Sequence, residues 1–366
     1  MEYLHTHLAL SKLPFSVLKS LRLSLSPARP TGGIRPKIMR NLVGILKDKI
    51  SLIKATVLLS KQTATYHIAV LRATTHDPTP PPDYSIDDVL SLGHHSLPTA
   101  SAIVNALLTR LHTTNNAYVA LKCLFTIHNI IARGSSVLKD QIADYPFPNG
   151  HNFLNLSTFR DNSDSESWEL SSWVRWYADV IEQSLINSRI LGFYISSPLS
   201  RIDSKEQILG LSSPNLLNEL ETLVSMMEQI CRAPESLHYQ RISIVYEIMR
   251  LVCEDYRLIL REIFTRLSEF GARIERLSVD ELNELLLDVI KLEDCRGKLS
   301  LIFMNKKKNN GVWDLLGEMK ANVGMVKERK ENMRLVTFEG RRRKGSASTR
   351  IGQEVAESRR LASPAS

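Results

Sequence analysis

The 366-residue chain contains no apolar run of the ~20 residues that a membrane-spanning helix needs, so any membrane contact must be peripheral. Cysteine is scarce: Cys123, Cys231, Cys253 and Cys295 are far apart, and no pair has the spacing of a zinc knuckle or a redox motif. They read as free thiols of a cytosolic protein. The histidines supply no ligand set, since the adjacent His94 and His95 would point apart on a helix. Neither a metal nor a cofactor is expected. A Gly-rich phosphate loop and a nucleophile elbow are both missing. Candidate bases such as His128 and His151 have no recognisable partner in the sequence. The chain therefore reads as a non-enzyme. Strand and hairpin signals are lacking too.

Acidic residues are rare at the ends. Residues 1–47 carry a net charge of +7 and residues 300–366 a net +8, whereas 48–299 carry −7. Basic ends suit an anionic membrane surface or a nucleic acid. Residues 1–38 have the composition of a transit peptide, of a disordered basic extension, or of a stretch upstream of the true start. Met39 stands where the compact pattern begins, which favours the last two.

The pattern from Asn41 onward is helical. Leu42, Leu46, Ile50, Ile53, Val57 and Leu58 share one face of a helix and are expected to point inward. A second helix is expected from Ala64 to about Arg72, broken by the prolines after Asp77. Ser85 with Asp88 predicts a helix start, as does Thr99 after Pro98. Asn115 or Asn116 can cap the next helix. Its body, Ala117 to Ile131, is apolar nearly all round, which places it mid-domain, and Gly134 stops it. A loop is expected over 142–168, then a helix from Glu169 to Leu191 stopped near Gly192. Ser213-Pro214 opens another helix. An apolar stripe runs from 241 to 269, and Ser278 with Glu281 caps a helix to about Asp294. Periodicity fades after about Met325, and residues 299–366 read as a mostly disordered basic tail.

Five local patterns together resemble one family. Arg40-Asn-Leu-Val-Gly-Ile-Leu-Lys-Asp-Lys49 is similar to the first helix of plant-type ANTH (clathrin assembly) proteins. Arg72-Ala-Thr-Thr-His76 resembles their Lys-Ala-Thr-x-His signature, and Ala120-Leu-Lys-Cys-Leu-Phe-Thr-Ile-His128 their apolar helix. Asn152 to Asp161 resembles the loop that follows. Ser167-Trp168 and Trp173-Val-Arg-Trp-Tyr-Ala178 resemble the Ser-Trp and Val-Arg-x-Tyr-Ala elements. The resemblance to the ANTH/ENTH family implies an all-α, right-handed superhelix (solenoid) of about eight to ten helices. It implies an ENTH-type membrane-facing module over 39–171, C-terminal ANTH helices over 172–298, and the tail beyond. It further implies a clathrin-assembly adaptor in endocytosis, with phosphatidylinositol 4,5-bisphosphate and other acidic lipids, clathrin and vesicle SNAREs as partners. Its places would be the cytoplasmic face of membranes, clathrin-coated pits and vesicles, and the Golgi.

The family's headgroup site combines the signature Lys with a Lys ten residues on, then Lys/Arg and His/Tyr at twelve and thirteen. Here Arg72 can replace the first as a phosphate ligand. The other places hold Pro82, Tyr84 and Ser85, with Asp77 and Asp83 nearby. Each basic residue near an anionic surface contributes about 1 kcal/mol, so this loss removes much of the affinity. Arg72 and His76 remain as phosphoinositide candidates, although local packing or capping is the simpler role for His76. Lys47, Lys54 and Lys61 repeat every seven residues and offer an alternative basic face. Trp313-Asp314-Leu315-Leu316 is a candidate clathrin or adaptor motif, and equally an amphipathic turn packing onto the core. The Arg341–Lys344 run could suit nucleic acid, but solvated basic tails are commoner and no nucleic-acid partner is expected. The competing reading is a helical interaction scaffold that kept the fold and lost phosphoinositide specificity.

Overall fold

The computed structural model describes residues 34–94, 96–143, 154–196, 206–235, 241–303 and 311–333; the side chains of 34–41, 61 and 62 fall outside that description. The chain divides into two compact units, 1–47 and 48–366. In the first, the described part is the opening half of helix α1 (Ile34–Leu58), which begins ahead of the expected Asn41 with Pro36 in its first turn. The second carries the other helices and the core.

Ser60 ends the run of α1 and caps α2 (Lys61–Ala73), its hydroxyl accepting the Thr63 amide. That cap stands ahead of the apolar pattern, so α2 opens three residues earlier than Ala64. Helix α3 (Asp83–Leu92) does not start at Ser85. Pro82 occupies its N-cap, and its carbonyl accepts the Ser85 and Ile86 amides. Ser85 turns inward instead and is only 2% exposed. In α4 (Leu97–Thr113) Thr99 is the third residue of a capping box led by Ser96.

Asn116, not Asn115, caps α5 (Ala117–Arg133), with its side chain on the Val119 amide. This helix is buried nearly all round because it packs against α2, α3, α4, α6 (Ser136–Ala143), α7 (Ser165–Leu191) and α9 (Ser243–Arg273). Gly134 closes it: a Cβ there would lie 2.5 Å from the Ile130 carbonyl oxygen, so only glycine fits. The expected loop over 142–168 gives way at both ends. Helix α6 covers its start, and α7 begins four residues before Glu169, because the Asp/Ser cluster holds the cap itself, Asp164 on the Ser167 amide. The 171–172 junction lies inside α7. Gly192 stops α7 at φ 76°, a left-handed conformation that glycine adopts at no steric cost.

The C-terminal half centres on α8 (Ser213–Cys231), which packs against α7, α9 and α10 (Val279–Phe303). Arg266 of α9, almost fully buried, is held by Glu219 of α8 and Glu262 one turn back. A buried charge survives only when paired in this way. Ser278 and Glu281 form the expected reciprocal box at the head of α10. That helix runs on to Phe303, past Asp294, and a further helix, α11, covers 311–333. Order therefore persists well beyond Ser300, because Leu316, Met319, Val323 and Val326 return to the core at helical spacing. Residues 334–366, with Arg341–Lys344, lie outside the described residues, as do 1–33, His95 and His151.

His128 of α5 does have partners. Its Nδ1 is 2.8 Å from the Tyr177 hydroxyl of α7, and its Nε2 is 2.9 Å from Asp255 of α9. Burial pushes the Tyr177 phenol well above its ordinary range. The hydroxyl therefore donates to Nδ1, which leaves the Nε2 proton facing Asp255. The arrangement ties three helices together with every ring nitrogen satisfied. His128→Ala would strand both partners in the interior. We expect it to lower unfolding free energy by about 2–4 kcal/mol in urea titration, against less than about 1 kcal/mol for an exposed control such as His112→Ala.

Candidate functional site

The signature Arg72–His76 ends α2 and turns toward α3. Each of its polar groups has a distinct place. The Thr74 carbonyl accepts from Arg110 of α4, at 2.6 Å from Nη2 and 3.2 Å from Nε. Thr75 donates to Asp77 at 2.5 Å. Lys122 reaches out of α5, itself 0% exposed, to donate to Thr75 Oγ1 at 2.9 Å and Asp77 Oδ1 at 3.0 Å. His76 gives its amide to Asp48 Oδ2 at 2.8 Å and holds Asp48 Oδ1 at 2.6 Å through Nδ1. Arg110 reaches the same Asp48 at 3.4 Å.

The result is a charge clasp of Asp48, His76, Asp77, Arg110 and Lys122 that fixes the α2–α3 turn against α1, α4 and α5. Burial alone would raise the Asp77 carboxyl. The Thr75 and Thr79 hydrogen bonds and the Lys122 ammonium outweigh it and hold that carboxyl at about 2. Burial pulls the Lys122 ammonium below its ordinary range, and Asp77 and Asp48 oppose that pull. His76 is thus engaged with a carboxylate, while Arg72 stands exposed at the last turn of α2. Where family members carry headgroup cations, Pro82 caps α3, Tyr84 is 68% exposed and Ser85 is buried.

Lys47 and Lys54 are both exposed on α1, Lys47 in the first unit and Lys54 in the second. Lys61 opens α2 after the Ser60 cap, so the seven-residue repeat crosses a helix boundary; its side chain lies outside the described residues. The apolar residues of α1 do not all point inward. Ile53 is half exposed, Val57 72% and Leu58 75%. The expected inward face is thus partly a solvent face, since α2 starts beyond Ser60 and does not fold back to cover these residues.

Trp313-Asp314-Leu315-Leu316 occupies the first turn and a half of α11. Leu316 is 1% exposed and Leu315 half-buried. The Arg296 guanidinium of α10 sits 5.6 Å from the Trp313 ring centroid. Farther along, Lys320 pairs with Glu293, Arg329 with Glu275, and Lys330 donates to the Glu275 and Leu277 carbonyls. Met319 approaches Gly271 of α9. Of the four motif residues, Asp314 is the exposed one.

The sequence reading missed Asp48, Arg110 and Lys122. Lys122 carried a usable signal: a lysine inside a helix that is apolar all round must find a counter-charge or lose its own. Asp77→Asn tests the clasp. Its carboxylate, depressed below the unfolded value of 3.8, contributes stability that is complete above about pH 4 and lost as pH falls toward 2. The variant should lose about 1–3 kcal/mol at neutral pH, because the buried Lys122 ammonium keeps a weaker partner. Its stability should also fall less steeply than wild type between pH 4 and 2, read by chemical denaturation across that range.

The ANTH domain family matches residues 65–240. "Putative clathrin assembly protein At4g40080" of Arabidopsis thaliana is 40% identical over 323 residues, covering 85% of this chain and 88% of the relative. "Putative clathrin assembly protein At5g10410" of the same plant is 30% identical over 319 residues, covering 83% and 90%. With two relatives matched across nearly their whole length and an all-helical stack built on the same signatures, the chain belongs to the ANTH-domain family.

Proposed function

We propose that the protein is a non-enzymatic adaptor of clathrin-mediated vesicle trafficking. It brings clathrin to acidic membrane on the cytoplasmic face, at coated pits and vesicles or the Golgi, with vesicle SNAREs as cargo. Family membership is the observation that carries this reading. No described helix is long and apolar enough to cross a membrane, so attachment is through a surface. The exposed end of α1 supports that attachment: Lys54 supplies charge beside Ile53, Val57 and Leu58, which can enter the interfacial region.

A second reading concerns lipid choice. The buried Ser85, the Pro82 cap and the engagement of His76 with Asp48 favour recognition of acidic lipids in general over a phosphoinositide headgroup. One liposome panel separates the two. The full chain should sediment with phosphatidylserine vesicles at low salt, and added phosphatidylinositol 4,5-bisphosphate should strengthen binding no more than its charge accounts for. Lys47→Glu with Lys54→Glu should weaken binding at least about tenfold, since two cations near the surface are worth about 1 kcal/mol each and are here reversed. Leu58→Asp should weaken it several-fold. A selective loss on phosphoinositide vesicles with Arg72→Glu would restore headgroup specificity. Absence of sedimentation from every acidic vesicle would remove the membrane role.

Clathrin capture through Trp313–Leu316 requires α11 to leave its seat, because Leu316 is buried there. Val323→Asp places a charge at a fully buried position of α11 and should free the helix. Clathrin recovered on the immobilised full chain should rise several-fold over wild type, and adding Leu315→Ala with Leu316→Ala should return it to background. Equal capture by all three proteins would assign clathrin binding to another segment.

A further inference from the structure

Cys231 and Cys295 have no motif spacing in the sequence, yet the fold brings them together. Cys231 is the last residue of α8, and Cys295 lies 64 residues later within α10. The Cys231 thiol donates to the Cys295 carbonyl oxygen, 3.7 Å from Sγ, which brings the two cysteines side by side. Both side chains are mostly buried, at 8% and 6% exposure, without being sealed from solvent. Helices α8 and α10 pack along each other, so the contact does not rest on a loop. The pair sits where a helix ends, and the last residue of α8 can adjust to the geometry of an S–S bond more readily than a mid-helix residue.

The two sulfurs are not equivalent. The neighbouring Cys295 side chain raises the Cys231 thiol, and burial raises it further. The Cys231 side chain pulls the Cys295 thiol below the ordinary range against the opposing effect of burial. Lys298 favours the thiolate at both sulfurs, while Glu228 disfavours it at both and Asp294 at Cys295. Cys123 is in a different position, fully buried in α5 with its thiol pushed up to about 12. Burial likewise raises the Cys253 thiol.

We propose that Cys231 and Cys295 are a reversible redox pair, which hydrogen peroxide closes into a disulfide stapling α8 to α10. The Cys295 thiol ionises, its thiolate attacks one peroxide oxygen, the O–O bond breaks, and the departing hydroxide combines with the proton the thiol released to form water. The resulting sulfenic acid is attacked by the Cys231 sulfur; the S–O bond breaks, and the Cys231 proton leaves with the oxygen as a second water. Two thiols are oxidised by two electrons and one peroxide is reduced to two waters. Glutathione reverses the step by thiol exchange, two molecules leaving as their own disulfide.

Purified full-length protein is treated with excess hydrogen peroxide, its remaining thiols are blocked with N-ethylmaleimide, and its peptides are mapped by mass spectrometry. The expected product is a cross-linked peptide pair containing Cys231 and Cys295, lighter by two hydrogens, monomeric on a non-reducing gel and lost on reduction. Cys123 and Cys253 should be recovered as maleimide adducts after unfolding. Oxidised wild type should also melt at a higher temperature than the reduced form, because the bridge closes a long loop. In Cys231→Ser, Cys295 should accumulate as a sulfenic acid that dimedone traps; if that variant fails to fold, the wild-type map decides alone. Recovery of both Cys231 and Cys295 as maleimide adducts, or a bridge joining either to Cys253, would overturn the proposal.

Discussion

The organising constraint is a helix that is buried on every side and still carries a lysine and a histidine in its interior. Helix α5 has neighbours all round, so Lys122 and His128 cannot reach solvent from it. Burying such groups without partners costs several kcal/mol each. The surrounding helices supply what they need: Thr75 and Asp77 for Lys122, Tyr177 and Asp255 for His128. These partners come from different neighbours of α5, one set from the α2–α3 turn and the other from α7 and α9. The apolar faces set which helices lie together, and the two polar anchors fix how they are oriented.

This constraint decides what the signature residues can do. In Arg72–His76 the letters alone make Arg72 and His76 phosphoinositide candidates. In the fold Thr75 is bound to Asp77 and Lys122, and His76 to Asp48. A headgroup recruiting either one would have to break part-buried hydrogen bonds to charged groups, which cost more to lose than a rim cation gains. Of the described residues of that signature, Arg72 is the cation outside the clasp, and a single arginine cannot hold a multiply charged ring in place. Membrane recognition by charge density and apolar insertion asks for less: exposed lysines, present along α1, and an uncovered hydrophobic edge, present at its end.

Most of the helices were legible because their ends are written locally. Ser278 with Glu281, Asn116, Gly134 and Gly192 act through contacts within a turn, and such contacts follow from spacing alone. The misplaced boundaries have a common cause. Asp164 and Ser60 cap helices whose first turn is polar, so the apolar pattern starts late. The inward face assigned to α1 failed for a different reason: periodicity identifies an apolar stripe but not what covers it. Lys122, Asp48 and Arg110 reach their partners across 28 to 62 residues of chain and leave no joint mark in the sequence, and the same holds for Cys231 and Cys295.

The seat of α11 shows how the same physics governs release. Its polar links, Lys320–Glu293 and Arg329–Glu275, lie near the surface, and pairs of that kind contribute about 0–1 kcal/mol each and weaken with salt. Its apolar contacts are Leu316, Met319, Val323 and Val326, all but fully buried, and burial of each such side chain is worth about 1.5–3 kcal/mol. The apolar set therefore holds the helix. Screening or a change in charge can loosen α11 without freeing it. Freeing Leu316 calls for a competitor that buries as much apolar surface in the vacated seat, or for a partner that rewards Leu316 with an equivalent pocket. A coat protein that offers a pocket for Leu315 and Leu316 alone recovers only part of what α11 gives up. Its capture by this segment is then weak and depends on whatever else loosens the helix.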